Sequence, residues 1–552
     1  MQLPAIFGIS LAALAVVGAS GSRLGCGRGT SFPQLLDATL DDLRRGLDSG
    51  LFTSVDLVKA YLARIDEVNP TLRAVLELNP DALALAATAD EERRRGLCSR
   101  KPLHGIPILI KDVIGTDDKM NTTAGSYALL GSRVAEDSTV VAKLRRAGAI
   151  ILGKTNLSEW SYTRGFNLPA GWSALGGQTL GAYFPQQDPS GSSSGSAVAV
   201  SIGLAWAALG VETVGSIISP SQVNNIVGIR PTVGLTSRYM VVPSSEVQDT
   251  VGPMARTVKD AAYLLSAIAG PDSRDKATAA IPFGEVPDYA SACRLGSLRG
   301  KRIGVARDLM SPDVDPLSGP AIAAFEGALE VLREAGADVV DPVSAEGLAE
   351  FASENTTYPY LMVLGIELSE AMPLYLSRLR RNPNKLCTID DIRNFTEHHP
   401  KERYPEFDMA FWDMVSNVGY DNASQPYWDV RDSLEALAGD LGLTGGLTNL
   451  TLDAIVVPSE FATLVSGILG TPLITVPMGV TTNSTAVVKG GGAGFGNVTM
   501  TGPNRPFGIS FLGAKWSEES LLGMAYDFEQ RTRVRQKIKP YMQPRTGLAD
   551  VM

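Results

Sequence analysis

The chain has 552 residues, 44% of them hydrophobic and 20% charged, and carries a formal net charge of −10. Such a composition excludes a disordered or fibrous chain and leaves enough apolar material for a sizeable core. An acidic chain without a Lys/Arg run also lacks the electrostatic footprint of a nucleic-acid binder.

Residues 1–20 are apolar and small, end in Ala19-Ser20, and precede the first basic residue, Arg23. They read as a secretory signal with a small-residue cleavage site, although the basic n-region is missing. The alternatives are an N-terminal membrane anchor or an ordinary buried helix of a cytoplasmic protein.

Residues 34–96 read as helical. Leu35, Leu36, Leu40 and Leu43 recur near the helical period, and Leu57, Tyr61, Leu62 and Ile65 form an apolar stripe behind Ser54 as N-cap. Ile106-Pro107-Ile108-Leu109-Ile110 is a continuous apolar run, the pattern of a strand buried on both faces. A helix ending at Arg146, Gly148 as its C′ residue and a strand at Ile150-Ile151-Leu152 come next. Ile303-Gly304-Val305, a helix over 321–334, Gly336 and Val339-Val340 repeat that cadence as a βαβ-like unit. Helix, glycine cap and apolar strand in alternation predict an α/β fold.

Residues 185–235 are dense in Gly, Ser and Pro. Residues 396–430 mix polar residues with Tyr404, Phe407, Phe411, Trp412, Tyr427 and Trp428, which read as core or helical-flap packing. Residues 490–496 form a glycine-rich loop.

The histidines are His104, His398 and His399 alone, which leaves almost nothing for a His-based zinc site. No metal or other cofactor is expected. The stretch around His398 and His399 reads as a polar surface loop. N-x-S/T sequons occur at Asn121, Asn156, Asn355, Asn394, Asn422, Asn449, Asn483 and Asn497. Together they fit passage through a secretory pathway, and all but Asn156 are glycosylation candidates. Cys26, Cys98, Cys293 and Cys387 allow three pairings into two disulfides, and their spacing does not choose among them.

Two segments carry chemistry. Ser190-Gly191-Ser192-Ser193-Ser194-Gly195-Ser196 could be a flexible linker, but it runs into the apolar Ala197-Val198-Ala199-Val200. A Gly/Ser loop entering a buried segment puts backbone N–H groups and hydroxyls at a pocket. A phosphate-binding loop fails for want of a Gly-Lys-Ser/Thr ending. Further on, Gly215-Ser216-Ile217 sets a serine on a glycine turn between apolar stretches, as an exposed nucleophile requires. It is not the G-x-S-x-G elbow of α/β-hydrolases.

The ordered set of motifs resembles the amidase signature family, and within it the secreted fungal-type amidases. It comprises Gly105-Ile106-Pro107 through Lys111-Asp112, the 190–196 block, and Gly215-Ser216-Ile217 with Pro220. Accessory stretches match at 122–126, 152–156, 228–232, 249–253, 470–477 and 506–509. The resemblance covers residues 35–530, leaving 1–20 as signal and 531–552 as a C-terminal tail.

The resemblance implies a single large domain: a central mixed, mostly parallel twisted β-sheet covered by helices on both faces. It implies hydrolysis of a linear, non-peptide carboxamide C–N bond, with Ser216 as nucleophile, Ser192 in a cis peptide as proton relay and Lys111 as base. A base must lie within hydrogen-bond reach of a serine to activate it, and lysine serves only when neutral, a form that burial favours. The N–H groups of Thr213, Val214, Gly215 and Ser216 would form the oxyanion hole. Ser193 would hydrogen-bond within the triad, and Ser161 would line the acyl side of the pocket.

The implied partner is a small-molecule amide, with no nucleic acid and no stable membrane span. The pattern departs from a close subset of the family at Val211 and Val214, where Thr and Asp are usual. A β-branched valine in a strained turn would weaken turnover. Acyl transfer to an amine, or a binding homologue with weakened catalysis, are the competing functions.

Overall fold

A computed structural model describes residues 32–97, 101–310, 318–343, 347, 350, 357–490 and 498–552. The signal segment, Cys26, Cys98, Asn355, Asn497 and positions 491–496 of the glycine-rich loop lie outside the described residues.

Eleven strands form one sheet. In chain order they are β1 Val75–Leu78, β2 Pro107–Lys111, β3 Ile150–Thr155, β4 Ala207–Glu212, β5 Val227–Arg230, β6 Thr250–Ala255, β7 Arg302–Val305, β8 Asp338–Val340, β9 Ala454–Pro458, β10 Leu473–Val480 and β11 Pro506–Leu512. Their spatial order is β1-β3-β2-β4-β6-β5-β10-β11-β9-β7-β8. Every residue of β2, β3, β4, β6, β9 and β11 is buried. Side chains alternate between faces along a strand, so both faces of this single α/β domain are covered.

The sheet is mixed, but it is not mostly parallel. Only β3·β2, β2·β4, β9·β7 and β7·β8 are parallel, and every other neighbouring pair is antiparallel. The mostly parallel sheet is what the resemblance implies, and the apolar runs themselves report only burial on both faces. Burial carries no strand direction, which the connections decide.

The expected glycine-capped transitions are present. The helix Thr139–Arg146 hands over to β3 through Gly148 at φ +87, where a Cβ would stand 2.7 Å from His104 Cα. A β-carbon is therefore excluded by space as well as by backbone angle. The unit β7, helix Gly319–Glu334, β8 is as read from the sequence, with Gly336 at φ +90.

Three local readings change. Residues 34–96 are not helical throughout: helices Leu40–Asp48, Ser54–Leu72 and Ala82–Arg94 are interrupted by β1. The N-cap of the second is Thr53, in a reciprocal capping box with Asp56, while Ser54 is already helical. Leu57, Tyr61 and Ile65 of that helix are buried, each worth about 1.5–3 kcal/mol as removed apolar area. Finally, His398 ends the helix Ile389–His398, and His399 stacks between Tyr127 and Phe395 instead of lying in a free loop.

Residues after 530 pack on the domain. Arg535 donates to the carbonyls of Asn225 and Ser201, and Thr546 contacts Glu67. Cys293 and Cys387 are free thiols. Among the described residues no helix is long and apolar enough to cross a membrane.

Candidate active site

Strand β2 ends on Lys111, and it runs parallel to β4 with Ile110 opposite Leu209. That register brings Lys111 beside the last residues of β4, where Lys111 Nζ donates to the Val211 carbonyl at 3.2 Å. The crevice at the carboxyl ends of parallel strands is where open α/β sheets place their sites.

The Gly/Ser block supplies the next group. It turns through a cis Gly191–Ser192 peptide into the helix Ser194–Ser201, all of which is buried. The small side chains are required there: a Cβ on Gly195 would stand 2.2 Å from the Ala74 carbonyl. Lys111 Nζ lies 2.7 Å from Ser192 Oγ, and Ser192 Oγ lies 2.9 Å from Ser216 Oγ. Lys111 is fully buried, Ser192 is 1% exposed and Ser216 is 8% exposed. Exposure thus rises along the chain of contacts, from Lys111 in the core to Ser216.

Burial pulls the Lys111 ammonium down to about 7, against the opposing pull of Asp249 and Glu212. A lysine at that value is substantially neutral near neutral pH.

Ser216 sits in the turn between β4 and the helix Ile218–Val223. Among the described residues, the N–H groups of Thr213, Val214, Gly215 and Ser216 have no protein acceptor, whereas those of Ile217 and Ile218 both donate to Glu212 Oε2, at 2.6 and 2.9 Å. The turn therefore presents unused donors beside the serine hydroxyl. Its left-handed residue is Gly215, at φ +76. The strain expected at Val214 is absent, because neither Val211 nor Val214 has positive φ. Val214 packs instead against Gly467, where a Cβ would meet Val214 Cγ2 at 2.2 Å. Val211 contributes only its backbone to the site.

Ser193 touches backbone, not the triad side chains. Its N–H donates to the Ser216 carbonyl at 3.0 Å, and its hydroxyl donates to the Val211 carbonyl at 3.2 Å. Ser161 is half-buried at φ +56, in the turn that follows Ser158. The Ser158 N–H donates to the Ser192 carbonyl at 3.1 Å, so that turn leaves directly from the Ser192 segment.

None of the histidines serves Ser216. His104 bonds Glu92, His398 bonds the Asn394 carbonyl, and His399 is stacked. Among the described residues no group of His, Cys, Asp and Glu could hold a metal ion.

Sequence reasoning missed several supporting residues. Glu212 faces the Arg230 guanidinium at 3.4 Å, both wholly buried. Its signal was an acidic residue closing an otherwise apolar strand. Arg164 is buried between Glu159 and Glu402, at 2.7 and 3.3 Å, and fastens the 158–164 turn to the 402–408 segment. Of the aromatics expected to pack there, Phe407 lies against Trp172 and Trp412 against Trp160, and Phe411 and Tyr427 are buried, whereas Tyr404 and Trp428 are exposed.

A family model described as Amidase matches residues 56–403. The chain belongs to the amidase family. A protein of Arthroderma benhamiae assigned as an amidase is 46% identical over 541 residues, covering 94% of this chain and 90% of its own. One of Arabidopsis thaliana, likewise assigned, is 37% identical over 508 residues, with 91% of each chain covered. The native peptide amidase of Stenotrophomonas maltophilia superposes with a TM-score of 0.80 at 39% identity, over 92% of this chain and 99% of that one. This amidase is accordingly a hydrolase of carbon–nitrogen bonds.

Proposed function

We propose that this amidase cleaves carboxamides through an acyl-enzyme on Ser216, with Ser192 as proton relay and Lys111 as base. The observation that carries the reading is the unbroken contact chain Lys111 Nζ, Ser192 Oγ, Ser216 Oγ at 2.7 and 2.9 Å.

With Lys111 protonated, the hydrogen bonds run outward from its ammonium. Once Lys111 is neutral, both hydroxyls can turn round, because a hydroxyl is donor and acceptor at once. Ser216 then gives its proton to Ser192 as it attacks the carbonyl carbon, and Ser192 gives its own to Lys111. The oxyanion meets the unused N–H groups of the 213–216 turn. Collapse breaks the C–N bond, with the proton returning through Ser192 to the leaving amine. Water repeats the sequence on the ester. The case for weakened catalysis rests on Val211 and Val214, and neither carries the left-handed angle, which falls on Gly215 instead.

The likeness to a peptide amidase makes amidated amino acids and peptides the first substrates to assay, beside simple linear amides. For location, the leader at 1–20 and the exposure of Asn394, Asn422, Asn449 and Asn483 support a secretory-pathway protein.

The test is labelling with a fluorophosphonate probe together with ammonia release from the amide set. Wild-type protein is labelled and Ser216→Ala is not. Labelling that survives Ser216→Ala removes Ser216 as nucleophile.

A further inference from the structure

Strands β4 and β6 are antiparallel, with Glu212 opposite Thr250. One step past that pair, Thr213 and Asp249 face each other beyond the end of the ladder. Asp249 is 3% exposed. Its Oδ1 accepts from Thr213 Oγ1 at 2.6 Å, and its Oδ2 accepts from the N–H groups of Ser244 and Ser245 at 2.7 and 2.9 Å. Arg230 ties the same two segments from the other side. Its Nη2 donates to the Thr213 carbonyl at 3.3 Å and to the Gln248 carbonyl at 2.8 Å.

Thr213 opens the turn whose N–H groups are unused, so a carboxylate clamps one end of the candidate oxyanion site. A neutral acceptor could make the same hydrogen bonds without the cost of burying a charge. Among the described residues no Lys or Arg pairs with Asp249, and Arg238, which acts on it at a distance, is paired with Asp275. Burial pushes the Asp249 carboxyl above the usual carboxylate range, against the hydrogen bonds from Ser245, Thr213 and Ser244.

Lys111 makes hydrogen bonds only to neutral oxygens, of Ser192 and Val211. The charges that act on it are those of Asp249 and Glu212. Glu212 is opposed by Arg230 and occupied by two N–H groups. The neighbouring Asp112 has Lys154 opposing it. Asp249 is left as the carboxyl among these that no cation touches, held by its hydrogen bonds to Thr213, Ser244 and Ser245.

We propose that Asp249 is a positioning residue for Ser216 chemistry: it fixes Thr213, and with it the oxyanion turn. The proposal rests on the reading of Ser216 as nucleophile and Lys111 as base.

The experiment follows the rate of fluorophosphonate labelling against pH, which needs no known substrate. Asp249→Asn keeps the shape and can turn its amide so that Oδ1 accepts from Ser244 and Ser245 while the nitrogen donates to Thr213. Asp249→Ala, which offers Thr213 no acceptor, should slow labelling about tenfold, and Asp249→Asn should restore most of the rate. Thr213→Val should likewise slow labelling about tenfold across the range, and Thr213→Ser should restore the rate. A merely structural role would lower thermal stability without slowing the labelling of folded protein.

Wild-type labelling in Asp249→Ala or in Thr213→Val overturns the proposal. If Asp249→Ala does not fold, the Thr213→Val and Thr213→Ser pair decides. Labelling of Ser216→Ala would instead defeat the underlying reading, and that control separates the two failures.

Discussion

Ser192 Oγ lies 2.9 Å from Ser216 Oγ although 24 residues separate them in the chain. The helix Ser194–Ser201 and strand β4 account for the return. The helix leaves the Ser192 turn into the core and β4 comes back, so the loop that begins the helix meets the turn that ends the strand. Ser193 closes the join by holding the Ser216 carbonyl. The hydroxyl pair is thus a product of supersecondary geometry, and its chemistry is set by the lysine behind it.

That lysine predicts the pH profile. Burial holds Lys111 at about 7, and only its neutral form can accept the proton. Hydrolysis and labelling should rise with pH through about 7 and level off above. A rate already flat from pH 5 upward would remove Lys111 as the base.

The same burial has a stability cost. The folded value, about 7, lies below the ordinary lysine value of 10.5, so between them the unfolded state binds more protons. The penalty is full below about pH 7 and fades as pH rises towards 10.5. Lys111→Met should therefore be inactive yet more stable at neutral pH, by roughly 1–4 kcal/mol, with an advantage that shrinks in alkali. Chemical denaturation at several pH values checks this, and a destabilised Met variant would contradict it.

Gly215 tests the oxyanion turn. Its φ is +76, and a Cβ there would stand 2.8 Å from Ser219 Oγ, so angle and space both oppose a side chain. Gly215→Ala should cost about 1–2 kcal/mol of stability and cut labelling at least tenfold. Near-normal labelling would show that the N–H directions of this turn do not matter.

Much of the site was legible because it is local. Lys111 ends an apolar run, Ser192 lies in a Gly/Ser block and Ser216 on a glycine turn, and the family resemblance of these ordered motifs singled them out. Gly148 and Gly336 marked helix ends by local pattern alone. What escaped was relational. Strand direction left no mark on the apolar runs. Glu402 meets Arg164 across 238 positions, and a charged residue in a polar stretch looks solvated until the fold buries it. The absence of strain at Val214 was equally hidden, since it depends on Gly215 taking the left-handed angle.

The Arg164 cluster gives a prediction in which two variants must differ. Arg164 is wholly buried between Glu159 and Glu402 and also donates to the Glu402 and Phe407 carbonyls. Removing it leaves two carboxyls buried without a cation. Arg164→Met should destabilise the protein by about 3–5 kcal/mol. Burial, reinforced by the nearby Glu402, pushes the Glu159 carboxyl well above the usual carboxylate range. Glu159→Gln mimics its protonated form and should cost far less. Equal losses in the two variants would show that Glu159 is an ordinary ion-pair partner of Arg164.

The sequons give the last prediction, because the fold separates them. Asn156 is wholly buried: its Nδ2 donates to the Gly177 carbonyl at 3.0 Å and Thr179 Oγ1 at 2.9 Å, and its Oδ1 accepts from Ser173 at 2.6 Å. A glycan on that nitrogen would remove a donor that the fold uses and would have no room. Asn394, Asn422, Asn449 and Asn483 are exposed, and Asn121 is half-buried and bonded to Glu77. In protein made through a eukaryotic secretory route, glycosidase treatment should lower the mass, with glycans mapping to the exposed four and none on Asn156. Asn156→Gln should leave the glycan mass unchanged and destabilise the fold, since its longer amide cannot reach all three partners from the same backbone position. A glycan found on Asn156 in folded, active protein would contradict the burial of that residue. Unmodified asparagine at all four exposed sites would remove their support for a secretory route.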